Sequence, residues 1–185
     1  RAQSAEMRSF LCQTSTLKRF NAPLCDTVTG RTNSRQILNE IEQTNLFLIP
    51  LDNQREWYRY HHLFAECLRT ELDDQQQRLL NQRAANWYEA NGYIFDTVEH
   101  ALATDDFELA ADTIERVLTS PQAWSGGQVS ILEGWLKSLP EACVRARPNL
   151  QVVASRALFL AGKLVQSSQL LAGAEQMLRS QSKLE

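Results

Sequence analysis

Leu46-Phe47-Leu48-Ile49-Pro50-Leu51, Asp52-Asn53-Gln54-Arg55 and Trp57-Tyr58-Arg59-Tyr60-His61-His62-Leu63-Phe64 together decide the fold. The first run is short and nearly continuously apolar, as a buried strand is. The second has turn chemistry, and the third opens with the aromatics that strands favour. From Leu63 the pattern turns helical, through Leu63-Phe64-Ala65-Glu66-Cys67-Leu68. A hairpin over residues 46–61 followed by a helix is therefore predicted, with two adjacent histidines at the strand-to-helix junction.

Upstream, Met7, Phe10, Leu11 and Leu17 recur at near-helical spacing and predict a helix over residues 6–17. Asn21-Ala22-Pro23 breaks it, since Pro23 biases Ala22 away from helix. A short helix over Leu24–Val28 closes at Gly30. Ser34 is placed to cap Arg35–Gln43, where Ile37, Leu38 and Ile41 share a face. Helix, helix, helix, hairpin, helix is the order of a winged helix, and residues 1–72 are assigned to one.

From Asp73 onward the signal is helical throughout. Leu80, Ala84, Trp87 and Tyr88 form one stripe, ended by Asn91-Gly92. Phe95, Val98 and Leu102 mark the next helix. Asp105 is expected to cap the one after, with Glu108 as its capping-box partner. That helix carries Phe107, Ala110, Ala111, Ile114, Val117 and Leu118. Val129, Leu132, Trp135, Leu136 and Leu139 form another, stopped by Pro140. Residues 149–161 and 165–178 form a final pair broken at Gly162. Leu158, Ala161-Gly162, Ala174 and Leu178 give that pair a loose likeness to a tetratricopeptide unit. Residues 73–185 are thus expected to form antiparallel helical hairpins, and the chain as a whole is mainly α. Trp87, Tyr88 and Trp135 are read as core.

The 185 residues are 43% hydrophobic and 22% charged, a globular balance rather than a disordered one. No run approaches the roughly 18–20 apolar residues of a membrane span, and Arg1–Glu6 has no signal-peptide layout. A net charge of −3 offers no basic face for nucleic acid. Cys12, Cys25, Cys67 and Cys143 are scattered without a CxxC pair. They are read as reduced core thiols of a cytoplasmic protein, with no metal site. The chain begins without methionine and stops at Lys183-Leu184-Glu185 in a helical pattern, so it is taken as a piece of a longer protein.

Phe10–Ser15, Ala22–Gly30, Asn45–Asp52, Trp57–Phe64 and Ala84–Gly92, continuing through His100-Ala101-Leu102 and Ala146-Arg147-Pro148, together resemble the MalT-like group of large LuxR-type bacterial transcription activators. That group sits in the wider class of signal-transducing ATPases. The resemblance implies a parent with a nucleotide-binding domain, a winged helix, a helical array that senses an inducer, and a C-terminal DNA-binding domain. This chain would hold the winged helix and the start of the array. It carries no GxxxxGK[ST] loop, since Gly126-Gly127 is followed by Gln128-Val129.

In the wider class the winged helix bears an aromatic-x-x-His-Asp-Leu motif whose histidine meets the β-phosphate of ADP. Tyr58-Arg59-Tyr60-His61-His62-Leu63 lies on that pattern. The resemblance therefore implies that His61 contacts ADP in the full-length parent. His62 stands where the class has aspartate, and its cofactor role is weaker. The residues by themselves leave two readings of His61 open, a phosphate ligand or a helix cap that packs the hairpin.

Arg59 is read as solvated, and Arg145 and Arg147 as a solvated linker with Glu141 nearby. The third helix, Ser34–Gln43, has one arginine against two glutamates, which disfavours contact with DNA. No nucleophile–base or carboxylate pair has usable spacing, so the chain is expected not to be an enzyme. The implied function is a coupling module of an ATP-dependent activator. Its partners would be the upstream nucleotide-binding domain and a small-molecule or protein inducer. DNA would be met only through the separate terminal domain, and a membrane not at all. An adaptor with no nucleotide switch is the alternative.

Overall fold

The computed structural model describes residues 5–44, 47–118 and 129–181. Leu46, the glycine pair 126–127 and residues 183–185, on which parts of the sequence reading fall, lie outside them. The chain forms two compact units, residues 1–93 and 94–185.

In the first unit α1 (Ala5–Thr14), α2 (Ala22–Thr29) and α3 (Ser34–Gln43) precede the strands β1 (Leu48–Pro50) and β2 (Tyr58–Tyr60). Helices α4 (His62–Arg69) and α5 (Asp74–Ala90) follow. Asn21 caps α2, its side chain accepting from the Leu24 N–H at 3.0 Å. Gly30 ends α2 with φ +71°, a left-handed conformation that glycine adopts without steric cost. Ser34 is not the cap of α3. Asn33 occupies that position, and the Ser34 N–H donates to the Asp26 carboxylate on α2 at 3.0 Å. The Ser34 hydroxyl is buried without a hydrogen-bond partner.

The strands pair antiparallel, Leu48 with Tyr60, Ile49 with Arg59 and Pro50 with Tyr58. Tyr58 and Tyr60 point into the core and Arg59 faces out. A third segment joins them, because Phe20 and Tyr58 exchange both backbone hydrogen bonds at 2.8 Å. The core gathers Phe10, Leu11, Phe20, Leu24, Leu38, Ile41 and both tyrosines. The Tyr60 ring meets Phe20 at 4.7 Å, tilted by 45°, and its hydroxyl pairs with Thr14 Oγ1 at 2.8 Å.

Spatially the first unit runs past the 72/73 boundary expected from sequence. The cause is α5, which packs on α2 and buries Leu80, Ala84 and Tyr88 in the first core. Arg83 donates to the Val28 carbonyl in the last turn of α2 at 2.9 Å. The Tyr88 hydroxyl donates to the Arg19 carbonyl. Trp87, expected in the core, is only partly buried. It stands parallel to Tyr93 at 5.9 Å and edge-on to Trp57 at 6.4 Å. The Arg19 guanidinium lies over the rings of Trp57 and Tyr93 at 4.9 and 5.2 Å.

The second unit contains α6 (Ile94–Leu102), α7 (Phe107–Leu118), α8 (Val129–Ser138), α9 (Glu141–Ala146), α10 (Pro148–Leu160) and α11 (Leu164–Gln181). Helix α9 was not foreseen. Asp105 does not cap α7: it has φ +56°, and the next residue, Asp106, accepts from the Leu109 N–H at 3.0 Å. Ala110, Ala111 and Ile114 are fully buried, while Phe107 is 40% exposed. Trp135 is buried and meets Phe95 at 5.3 Å.

Helices α10 and α11 cross on small residues, though not at Ala161-Gly162. The Ser167 hydroxyl donates to the Ser155 carbonyl at 2.9 Å, and Ala154, Ala157 and Ala174 are buried there. A Cβ on Gly173 would lie 2.5 Å from the Gln151 side-chain oxygen, so a larger residue there would displace the end of that side chain. Leu178 is 47% exposed rather than packed in the pair.

Arg147 is no solvated linker. It lies at the junction of α9 and α10 and pairs with Glu108 and Asp112, with Glu115 at 3.8 Å. All three carboxylates come from one face of α7. The side chain keeps 20% of its surface exposed, and the carboxylates hold its pKa well above the usual arginine value. Arg145 does face solvent, paired with Glu141.

Candidate functional site

The hairpin is closed at its turn by Asp52 and fastened at the other end to α4. The Asp52 carboxylate accepts from the Glu56 N–H at 3.0 Å and the Trp57 N–H at 2.8 Å. The first of these bonds does most to lower its pKa, against a smaller effect of desolvation. At the other end the ladder continues one step past the strands, where the His61 N–H donates to the Phe47 carbonyl at 2.9 Å.

His61 then occupies the N-cap of α4, with φ −59° and ψ 134°, and its side chain makes no capping hydrogen bond. Its carbonyl accepts from the Ala65 N–H at 3.0 Å and so starts the helix. The cap is positional only, which removes the side-chain part of the capping alternative. His61 is exposed, and its ring makes no hydrogen bond to the amides of its own helix end. The His62 ring lies 4.7 Å from it, also exposed.

One face of α4 is anchored by Ala65 and Leu68, and Phe64 bridges to Tyr60 at 5.7 Å. The histidine pair therefore sits on a rigid support with the first turn of a helix behind it. A helix N-terminus presents unsatisfied N–H groups and favours negative charge. Two imidazoles that can donate, beside such an end, suit a phosphate oxygen.

His100 is buried on α6 in the second unit. Among the described residues no three His, Cys, Asp or Glu side chains gather to hold a metal. Among them, too, no helix is long and apolar enough to cross a membrane. On α3, Arg35 donates to the Arg55 carbonyl at 3.2 Å, and Glu42 pairs with Arg55 at 2.9 Å. Cys12, Cys25 and Cys143 are buried as expected, but Cys67 is exposed on α4. Phe47, beside the site, was read only as part of a strand. Its positive φ of 51° and exposed ring follow from the turn into the ladder, and no residue pattern signals them.

The first unit has the helix and hairpin order of a winged helix, and a helical array follows it in the chain. Residues 1–80 match the family model described as the MalT winged helix domain. The chain is 30% identical over 187 residues to the HTH-type transcriptional regulator MalT of Cronobacter sakazakii, covering 95% of this chain and 20% of that protein. The MalT of Serratia proteamaculans is 31% identical over 183 residues, covering 96% and 20%. A serine/threonine-protein kinase of Mycobacterium tuberculosis, PknK, is 32% identical over 158 residues, covering 84% and 14%. The chain belongs to the MalT-like family, and it spans 14–20% of the length of these relatives.

Proposed function

We propose that the chain is the coupling module of an ATP-dependent, cytoplasmic LuxR-type transcription activator. Its winged helix links an upstream nucleotide-binding domain to the helical array, which senses an inducer. ATP and ADP bind to the parent rather than to this segment, and DNA meets only a separate C-terminal domain. In the resting state His61 donates a hydrogen bond to the β-phosphate of ADP and holds the parent closed.

One observation carries this reading. His61 stands exposed at the N-terminus of α4, on the motif's histidine position, with no capping bond to occupy its ring. His62 lies beside it but replaces the class aspartate, so it contributes less. The resemblance to PknK supports a second reading, in which the same coupling module serves a parent whose output is phosphorylation rather than transcription.

The test is His61→Ala in the full-length parent. A hydrogen bond to a charged group is worth about 1.5–3 kcal/mol, which shifts the closed–open balance by roughly tenfold to hundredfold. ADP release should speed up and inducer-independent output should rise, while the isolated chain melts as before. His62→Ala should do less. An unchanged ADP off-rate and unchanged basal output would leave His61 as a structural residue only.

A further inference from the structure

Of the four cysteines, Cys67 is the exposed one, near the end of α4. Helix α1 packs on α4, the two backbones approaching to within 8 Å. Cys12 lies on the side of α1 turned to this seam, where its Sγ donates to the Glu71 carboxylate at 3.5 Å. Arg8, one turn earlier on α1, donates to the same carboxylate at 2.9 and 3.0 Å. Glu71 stands one turn beyond Cys67. The chain stays wound past the end of α4, because the Thr70 N–H donates to the Glu66 carbonyl and the Glu71 N–H to the Leu68 carbonyl. Residues four apart share a helix face. Arg8 and Cys12 therefore meet Cys67 and Glu71 as two matched steps across the seam, and both Arg8 and Cys12 feel the charge of the Cys67 sulfur.

The two thiols differ in reach. Cys12 is 7% exposed, and burial, then the Glu71 carboxylate, push its thiol up from the ordinary value. It stays protonated and shielded. Cys67 is open to solvent. An accessible sulfur that an oxidant meets first, beside a shielded one that follows, is the layout of an attacking and a resolving thiol. Cys25 is fully buried on α2 and Cys143 belongs to the second unit, so neither competes for the seam.

We propose that Cys67 and Cys12 are a redox-sensitive pair that closes into a disulfide between α4 and α1 when the chain meets a small disulfide such as oxidised glutathione. The Cys67 thiolate attacks one sulfur of the oxidant, whose S–S bond breaks and releases one thiolate. Cys12 then loses its proton to solvent and attacks the Cys67 sulfur of the mixed disulfide, releasing the second. Two protein thiols are oxidised, and the small disulfide is reduced to two thiols. Closure takes Cys12 off Glu71 and leaves the Arg8–Glu71 pair to hold the seam. Helix α4 starts at the histidine pair, so the bond fastens the far end of the helix that supports them. In the cytoplasmic setting proposed above, such a bond is transient and responds to oxidants.

The experiment equilibrates the chain in mixtures of reduced and oxidised glutathione, with and without urea, then quenches it and maps its cysteine peptides by mass spectrometry. The native chain should carry a Cys12–Cys67 cross-link and no bound glutathione, with Cys25 and Cys143 as free thiols. It should hold that bond in mixtures about tenfold more reducing than the urea-unfolded chain tolerates, and the oxidised chain should melt at a higher temperature than the reduced one. Cys12→Ser should stop at Cys67 bearing glutathione, and Cys67→Ser should leave Cys12 unreacted. If Cys12→Ser fails to fold, Cys67→Ser, an exposed change, decides alone: Cys12 that takes up glutathione without Cys67 overturns the pairing. A wild-type chain that stops at glutathione on Cys67, a cross-link to another cysteine, or a Cys12–Cys67 bond no more stable in the native chain than in urea overturns it as well.

Discussion

Truncating Tyr88 to alanine tests which unit owns α5. The ring is fully buried among the first unit's core residues, with Trp87 at 5.5 Å and Tyr93 at 5.9 Å. Removing a buried aromatic costs about 3–5 kcal/mol. The hydroxyl's bond to the Arg19 carbonyl adds about 0.5–1.5 kcal/mol. Tyr88→Phe isolates the second quantity and Tyr88→Ala takes both. Against a domain stability of about 5–15 kcal/mol, the alanine variant loses a large share. Segment-resolved amide hydrogen exchange is the suitable assay, because the two units need not unfold together. Protection of α1, α2 and β2 should fall by about a few hundredfold or more in Tyr88→Ala and by about twofold to tenfold in Tyr88→Phe. Helices α10 and α11 should keep theirs. Trp87→Ala, which removes a partly buried ring, should cost less, about 1–2 kcal/mol. Unchanged α2 exchange with faster exchange in α6 and α7 would refute the assignment of α5 to the first core.

Two further outcomes follow from charges. Arg147→Ala should destabilise the second unit by about 1–2 kcal/mol at low salt and by less at high salt, since Glu108 and Asp112 are mostly exposed and screened. Urea melts at two ionic strengths measure this, and a salt-independent loss would contradict an electrostatic role. Asp52 has a folded-state pKa below its ordinary value of 3.8, so its contribution is present above that value and lost as pH falls through the folded one. The stability difference between wild type and Asp52→Ala, read from exchange at the Trp57 amide, should therefore be full at neutral pH and shrink as pH falls below the ordinary carboxylate value. A constant difference across that range would show that the turn does not depend on the charge.

Much of the architecture was readable in the chain because local rules and tertiary packing agree. The apolar face of α3, the hairpin around Asp52 and the Gly30 stop all obey short-range chemistry. The misses lie where that chemistry is silent. The Phe20–Tyr58 bridge is a single pair with no alternation to reveal it. Helix α9 spans only 6 residues, too few for periodicity to register. Asp105 and Asp106 are interchangeable as letters, and the positive φ of one assigns the cap to the other. Trp87 and Tyr88 are neighbours about 100° apart around the helix, so a stripe containing both does not say which points inward. Arg147 was legible in principle, because Glu108, Asp112 and Glu115 form a carboxylate row on α7 that requires a cation. At the site, the position of His61 came from the motif. The exposure of Phe47 needed coordinates, because a left-handed phenylalanine has no sequence signature.

The most direct measurement is the structure of the full-length parent with ADP bound. The account predicts a His61 ring nitrogen about 2.7–3.2 Å from a β-phosphate oxygen. A His61 ring facing solvent, with the β-phosphate held entirely by other groups, would contradict it.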